Sequence, residues 1–271
     1  MKESKGGYRM KKFIALLLTC CLLALPMLSF AAAQTVTPTD AENDPAEVPA
    51  DEIFTFTSVA DVASVILNKE LLPWGEVYIT PATLTTEEGE EDVYFVCFRG
   101  TGHTMDKANN LIACFLSAFN RDSGYLRLAK QYLNKYVPEG AKLVLSGHSL
   151  GGMIAQQLIC TDEITERYEI LNTLTYGSPY VVTSAAHREG PLVRCVDKFD
   201  VIPKFSPAIF VTPSNYRNAV TIDGGYLGDP DGAHNLSYPR ADLWGGYDVF
   251  GVKCGTASLT FHRADLLILS A

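Results

Sequence analysis

The segment VLSGHSLGG, residues 144–152, places a serine between two glycines where one apolar stretch ends and another begins. The residues before this serine, KLVLS, are typical of a buried strand, and those after it, LGGMIAQQL, of a helix. A turn this tight holds Ser149 in a strained backbone conformation, while Gly147 and Gly151 leave room for the strand and the helix to approach. The pattern predicts that the Ser149 hydroxyl projects as a nucleophile beside the helix N-terminus, whose backbone N–H groups stabilise an oxyanion.

Helical and strand patterns alternate through the chain from about residue 53 onward. Apolar spacing predicts helices over 58–70, 105–119, 123–137 and 153–160. Short apolar runs predict strands over 76–80, 92–98, 141–146, 170–176 and 192–199, and residues 258–270 fit either a strand or a helix. Strands that alternate with helices form a mostly parallel sheet covered by helices on both faces, so the chain is predicted to be an α/β protein.

A serine hydroxyl is a poor nucleophile without a base, and the base needs a carboxylate to orient it. For a serine on a strand-to-helix turn, the expected chain order is serine, then acid, then histidine. His148 adjoins Ser149 and points elsewhere on such a turn, so we interpret it as a packing residue. His103 lies upstream and is interpreted as a surface loop residue. The histidines that follow Ser149 are His187, His234 and His262.

Four segments resemble the class 3 (fungal-type) lipase family of α/β-hydrolases, and they occur in the order found in that family. They are VYFVCFRGT at 93–101, LVLSGHSLGG at 143–152, VDKFDVIPKFSP at 196–207 and HNLSYP at 234–239. A serine turn flanked by glycines is common to many hydrolases. Its combination with FRGT, and with an aspartate followed by two aliphatic residues and a proline, is specific, so the resemblance implies an α/β-hydrolase fold.

The resemblance also implies a role for each of five residues. Ser149 is the nucleophile, Asp200 the acid and His234 the base of a catalytic triad. Thr101 and the backbone N–H of Leu150 form the oxyanion hole. The sequence agrees with the role of Thr101, because this residue follows a predicted buried strand and so lies at the sheet edge where ligands bind.

Two of these roles have competitors in the sequence. Asp197 competes with Asp200, but the two aliphatic residues and the proline directly follow Asp200, so we expect Asp197 to lie in a solvated loop. His187 precedes Asp200 and breaks the expected order. His234 follows DGGYLGDPDGA, which is typical of a loop that reaches over the sheet edge, whereas His262 lies among apolar residues near the chain end, where a catalytic group is poorly held. We therefore expect His234 to be the base.

The chain also departs from this family in one respect. The segment between Thr101 and Ser149 is short and leaves little room for a long lid, and its apolar run at 111–119 fits a core helix better than a lid. The acidic segment DGGYLGDPDG, residues 223–232, contains three aspartates, but acidic turns of this kind usually bind no ion. We therefore expect neither a metal ion nor a cofactor.

The first 52 residues have compositions unlike that of a folded domain. Residues 1–33 combine a basic start, the apolar run FIALLLTCCLLALPMLSF and small residues suited to cleavage. Because Pro26 interrupts the run and no basic stop follows, the pattern predicts a signal peptide rather than a membrane anchor. Residues 34–52 contain six acids, three prolines and no base, which predicts a disordered acidic linker. Residues 53–271 then form the hydrolase domain of a secreted protein, either free or associated with the cell surface.

The net charge limits the kinds of molecule that the protein binds, and the cysteine spacing argues against a zinc site. The net charge of −9 at pH 7 argues against nucleic acids and anionic surfaces, and it leaves neutral esters open. The five cysteines after residue 33 match no zinc-binding spacing, and their odd number leaves at least one unpaired. Cys97, Cys160 and Cys195 lie in apolar runs and are expected to be small buried side chains.

These observations predict a secreted serine hydrolase that cleaves carboxylic esters through an acyl-enzyme. The expected substrates are lipid esters. The expected partner is an ester or lipid substrate, with transient contact with a lipid surface. The alternatives within enzymes are a phospholipase and a small-ester or feruloyl-type esterase. The alternative from another class is a non-catalytic surface binding module on a hydrolase fold, which would have no need of an acid and a base.

Overall fold

The structure, a computed structural model, describes residues 52–68, 71–73, 75–100, 117, 120–181, 188, 190–204 and 219–270. All of these lie in one compact unit that spans Val48–Ala271. The predicted signal peptide lies outside the described residues, as do the acidic linker except for Glu52 and the predicted helix at 105–119 except for Ser117. No helix within the described ranges is long and apolar enough to cross a membrane.

The described residues contain nine strands and six short to medium α-helices, which we number in chain order. The strands are β1 (Ile53–Phe56), β2 (Val77–Thr86), β3 (Gly89–Phe98), β4 (Lys142–His148), β5 (Glu169–Tyr176), β6 (Leu192–Asp197), β7 (Ala219–Ile222), β8 (Ser258–His262) and β9 (Leu267–Leu269). The helices are α1 (Val59–Leu67), α2 (Gly124–Tyr136), α3 (Leu150–Leu158), α4 (Asp162–Thr165), α5 (Pro230–Asn235) and α6 (Ala241–Trp244).

The strands form one mixed sheet in the order β1-β8-β2-β3-β4-β5-β6-β7, and β9 also pairs with β2. Strands β3 to β7 run parallel to one another. The pairs β1–β8, β2–β3, β2–β8 and β2–β9 are antiparallel. The predicted α/β sheet is therefore confirmed for the half that contains Ser149, and an antiparallel half extends it on the other side of β3.

Helices cover both faces of the sheet, as predicted. Successive strand residues point to opposite faces, so Tyr78 and Val144 belong to the core cluster that includes α1, whereas Ile79 and Leu145 belong to the cluster that includes α2 and α3. A fully buried Val, Leu or Ile side chain, such as those of Val144, Ile79 and Leu145, stabilises the fold by about 1.5–3 kcal/mol. Burial on both faces explains why the central strands appear as continuous apolar runs in the sequence.

The ambiguous segment at 258–270 folds as a strand, a short 3-10 turn and a second strand. Leu259 and Phe261 are buried, and the residues that alternate with them are more exposed, which is the two-residue period of a half-buried strand. Strand β8 lies between β1 and β2, and because β1 starts at Ile53, its pairing with β8 joins the two ends of the described chain.

The carboxyl ends of β3, β4 and β6 lie along the same edge of the sheet because these strands are parallel. Gly100 follows β3, Ser149 follows β4 and Asp200 follows β6. In open α/β sheets this edge is where ligands bind. The fold therefore brings the predicted nucleophile and the predicted acid to one side of the molecule.

Candidate active site

Ser149 joins β4 to α3 with a backbone conformation that few residues adopt. Its φ is 53° and its ψ is −122°, and it is the N-cap of α3. A non-glycine residue in such a conformation costs about 1–3 kcal/mol, which the surrounding structure must offset. The Ser149 N–H donates to the carbonyl of Tyr176 on the neighbouring strand at 2.9 Å. The serine is thus held by backbone contacts, as the sequence pattern predicts.

The glycines around Ser149 are required by close packing of the backbone. A Cβ on Gly147 would lie 2.5 Å from the carbonyl carbon of Gly151, and a Cβ on Gly151 would lie 2.1 Å from the carbonyl oxygen of Phe98. Neither distance is compatible with a real side chain, because the partners are backbone atoms. The turn Gly147–Gly151, which we call the nucleophile turn, therefore depends on both glycines.

Asp200 and His234 form a hydrogen-bonded pair at the same edge. His234 Nδ1 lies 2.9 Å from Asp200 Oδ2. Because the carboxylate oxygen accepts, Nδ1 carries the hydrogen, which leaves Nε2 as the proton acceptor of the ring. The Asp200 side chain is fully buried, whereas 13% of the His234 side chain is exposed. Asp200 Oδ1 accepts a further hydrogen bond from the N–H of Ile202 at 2.9 Å.

The strand β5 connects this pair to the nucleophile turn. Tyr176, at the end of β5, accepts the N–H of Ser149, and Gly177 follows it with a φ of 55°. A Cβ on Gly177 would lie 2.6 Å from Asp200 Oδ2 and 2.8 Å from His234 Nδ1. Among the described residues, the Ser149 hydroxyl makes no hydrogen bond with His234; such bonds are often long before substrate binds. The end of β5 thus contacts both the predicted nucleophile and the pair formed by the predicted base and acid.

The oxyanion hole is described in part. Leu150 is the first residue of α3, so its N–H has no partner within the helix and lies next to the Ser149 side chain. Thr101, the other predicted donor, lies outside the described residues. Gly100, which precedes it, is described, and a Cβ on this glycine would lie 3.0 Å from the Ser149 Cβ. Gly100, the last described residue before Thr101, therefore lies directly beside the predicted nucleophile.

A buried tyrosine completes the surroundings of the acid. The Tyr238 hydroxyl donates to Asp200 Oδ2 at 2.6 Å, and it accepts the N–H of Asp197 at 3.1 Å. Burial raises the pKa of this hydroxyl well above its ordinary value, and the neighbouring Asp200 raises it further. Tyr238 is therefore a neutral donor that fixes one oxygen of Asp200. The sequence analysis missed this role, although Tyr238 lies within the segment HNLSYP that contains His234.

The expectation that Asp197 lies in a solvated loop is wrong. Asp197 is the last residue of β6 and is fully buried. Its Oδ1 accepts the N–H of Phe199 at 2.8 Å, and a Cβ on Gly224 would lie 2.1 Å from its Oδ2. Strand β6 ends at Asp197, two residues earlier than predicted, and Asp197 is held at the start of the turn that leads to Asp200.

His148 is buried, as expected for a packing residue, and it packs against His234, the predicted base. Only 5% of His148 is exposed, and its Nε2 lies 2.9 Å from the carbonyl oxygen of His234. The centroids of the two imidazole rings are 4.4 Å apart. Burial lowers the pKa of His148 well below its ordinary value, with smaller contributions from His234 and Arg99. No local pattern signals this contact, because the two histidines are far apart along the chain.

The family model for class 3 lipases matches residues 95–210 of this chain. The resemblance to the class 3 lipases is confirmed. The matched region contains Ser149 and Asp200 but ends before His234, so the bond between His234 and Asp200 is an observation independent of the match. The match supports a lipase-like carboxylic ester hydrolase, the class of enzyme that takes ester or lipid substrates.

Two further comparisons add little to the class 3 lipase match. The crystal structure of the Lip2 lipase from Yarrowia lipolytica is similar over 61% of this chain and 76% of that one, with 14% sequence identity and a TM-score of 0.30. A likeness with so low a TM-score carries no conclusion about the site. No curated protein matches the chain.

The other histidines of this class 3 lipase-like chain do not compete with His234 among the described residues. His262 ends β8 and pairs with Ile53 of β1. Since β2 and β3 separate β8 from β4, the two strands are about 14 Å apart at the usual spacing of about 4.8 Å. His187 and His103 lie outside the described residues.

His234 lies on a short helix rather than in the predicted loop. Pro230 occupies the first turn of α5, and Asp229 caps this helix by accepting the N–H of Gly232 at 2.9 Å. Asp223, from the same acidic segment, pairs with Lys198 at 2.9 Å. No group of three or more acidic, histidine or cysteine side chains suited to a metal ion occurs within the described ranges. Asn235 Nδ2 donates to Asp231 Oδ1 at 3.0 Å, so all three aspartates have structural partners.

The cysteines within the described residues are all free thiols. Cys97 and Cys195 are buried, as expected, whereas Cys160 is only partly buried and Cys254 is exposed. Burial raises the pKa of the Cys97 and Cys195 thiols, so both stay protonated and unreactive. Cys114 lies outside the described residues. None of the four described cysteines contributes a nucleophile to the site.

Proposed function

We propose that this protein is a secreted serine hydrolase that cleaves carboxylic esters of lipids through an acyl-enzyme. The observation that carries the proposal is the bond of 2.9 Å between His234 and Asp200, beside the strained turn that presents Ser149. A hydroxyl, an imidazole and a carboxylate in this order are the parts of a serine hydrolase triad. Export is supported by the basic and apolar pattern of residues 1–33.

In the first half of the reaction, His234 Nε2 removes the proton of the Ser149 hydroxyl as its oxygen attacks the ester carbonyl. The imidazolium that forms is stabilised by Asp200, which also holds the ring with Nδ1 protonated. Tyr238 and the N–H of Ile202 keep the Asp200 carboxylate in the required orientation. The protonated His234 then gives its proton to the leaving alcohol, and Ser149 carries the acyl group.

The tetrahedral oxyanion is stabilised by the N–H of Leu150 and by Thr101. The N-terminus of α3 adds favourable electrostatics, because its free N–H groups carry partial positive charge. In the second half of the reaction, the same histidine activates a water molecule, which attacks the acyl-enzyme and releases the acid. This chemistry requires only groups supplied by the chain.

The substrate is proposed to be a neutral lipid ester met at a lipid surface by transient contact. Phospholipase and small-ester or feruloyl-type esterase activity would use the same triad, and they differ from lipase activity only in the pocket that accepts the acyl and alcohol groups. A binding module without turnover would explain neither the buried hydrogen-bonded acid nor the ring that faces it. The activity measurement below separates these four candidates.

The direct test is hydrolysis of p-nitrophenyl esters of rising chain length, with triglyceride and phospholipid as natural substrates. The wild-type protein is expected to hydrolyse the ester series, and Ser149→Ala to lose this activity while keeping its fold. A suitable control is Ser64→Ala, which removes a hydroxyl that bonds only its own helix at the Ala60 carbonyl. Full activity in a folded Ser149→Ala protein contradicts the triad, and no hydrolysis of any ester by the wild type supports the binding module.

A further inference from the structure

We propose that His148 is a positioning residue for the catalytic base, which it holds over the nucleophile turn through the main chain of His234. The inference rests on the proposed function, because it concerns the residue that acts as base there. His148 is the last residue of β4, directly before Ser149. Its hydrogen bond to the His234 carbonyl therefore links the nucleophile turn to the segment that carries the proposed base.

The hydrogen bond between the two histidines has one possible direction. The carbonyl of His234 only accepts, so Nε2 of His148, at 2.9 Å, carries the hydrogen and donates it. The neutral tautomer then leaves Nδ1 of His148 without a hydrogen, on the side that faces Gly100, where a Cβ would lie 3.2 Å from it. A single tautomer of His148 thus satisfies the contact to the base.

The accepting carbonyl is one that the helix cannot satisfy itself. Helix α5 spans only Pro230–Asn235, and His234 is its next-to-last residue. The last four carbonyls of a helix have no partner within it, and a helix of this length is not stable by itself. His148 therefore supplies a hydrogen bond at the end of α5 that fixes the main chain from which the His234 side chain extends.

The ring contact requires His148 to stay neutral. The groups that face it are His234 on α5, Arg99 after β3 and the ring of Tyr238, whose centroid is 6.1 Å away. Burial and the two basic neighbours oppose a positive charge on His148, and its pKa is lowered accordingly. A neutral ring at a centroid distance of 4.4 Å allows the positive charge to develop on His234 during catalysis, which a charged ring would oppose.

Three substitutions separate the hydrogen bond from packing. His148→Phe keeps an aromatic ring and removes the donor. His148→Gln places an amide N–H near the position of Nε2. His148→Asn places its amide N–H near the position of Nδ1, and this shorter side chain does not reach the His234 carbonyl. We expect the Phe and Asn variants to lose about 10–100-fold in kcat with little change in KM, as for a displaced catalytic group, and the Gln variant to recover most of the loss.

The measurement is kcat and KM for a p-nitrophenyl ester at a fixed pH, with circular dichroism to confirm that each variant is folded. Equal kcat for the Gln and Asn variants, or unchanged kcat in the Phe variant, would each overturn the inference. The proposed function survives these outcomes if Ser149→Ala and His234→Ala remain inactive, and it fails separately if they do not.

Discussion

The nucleophile turn and the segment that carries His234 are held in place by different kinds of interaction. Ser149 is fixed by backbone geometry: its strained φ, the absence of side chains at Gly147 and Gly151, and the N–H bond to Tyr176. His234 lies on a short helix and is fixed by side-chain contacts with Asp200 and His148. The serine therefore depends on backbone contacts, whereas His234 depends on the side chains of residues distant in the sequence.

The largest effect expected in the base segment comes from removing the imidazole itself. His234→Ala is expected to lower kcat by about 10⁴-fold or more, since the serine then has no base. His262→Ala is the matched control, because His262 lies on the far side of the sheet at the end of β8, and it is expected to keep most activity. The measurement is the initial rate of ester hydrolysis for both variants. Activity that is kept in His234→Ala and lost in His262→Ala would mean that the base is His262.

The next effect concerns the nucleophile side of the comparison. Thr101→Ala is expected to lower turnover by on the order of 10²–10³, the usual cost of losing one oxyanion donor, and to leave covalent labelling of the serine detectable. The expectation rests on Gly100, which lies directly beside the Ser149 Cβ and precedes Thr101. Turnover that matches the wild type would show that Thr101 caps its loop and takes no part in the oxyanion hole.

A smaller effect is expected from the residue that orients the acid. Tyr238→Phe removes the hydroxyl that donates to Asp200 at 2.6 Å and keeps the buried ring. Because His234 and the N–H of Ile202 still bond the carboxylate, we expect about a 10-fold loss in kcat and little change in KM. Steady-state kinetics measure both constants. A loss as large as that of His234→Ala would mean that Tyr238 is as essential as the base.

The difference between local and distant contacts also decides what the sequence could predict. The role of the nucleophile turn follows from a few adjacent residues, and the structure gives Gly147 and Gly151 the packing that was predicted for them. The strands of the parallel half of the sheet could also be predicted from local sequence, since they are buried on both faces and therefore form apolar runs. Chain order and the resemblance to class 3 lipases selected Asp200 and His234 as candidates.

Contacts between segments that are distant along the chain could not be predicted from the sequence. His148 and His234 are separated by 86 positions, and no local pattern signals their hydrogen bond. The burial of Asp197 follows from the length of β6 and from the approach of Gly224, both of which depend on the folded chain. The pairing of β1 with β8 joins residues about 200 positions apart, so this outer part of the antiparallel half has no local signal in the sequence.

We propose that Ser149 becomes the covalent nucleophile because His234 and Asp200 activate it. Reaction with a fluorophosphonate, followed by mass spectrometry of the proteolysed protein, tests this directly. We expect one phosphonyl adduct on Ser149 in the wild type, none in Ser149→Ala, and a strongly slowed reaction in His234→Ala. An adduct on another serine, or equally fast labelling of Ser149 in the His234→Ala variant, would contradict it.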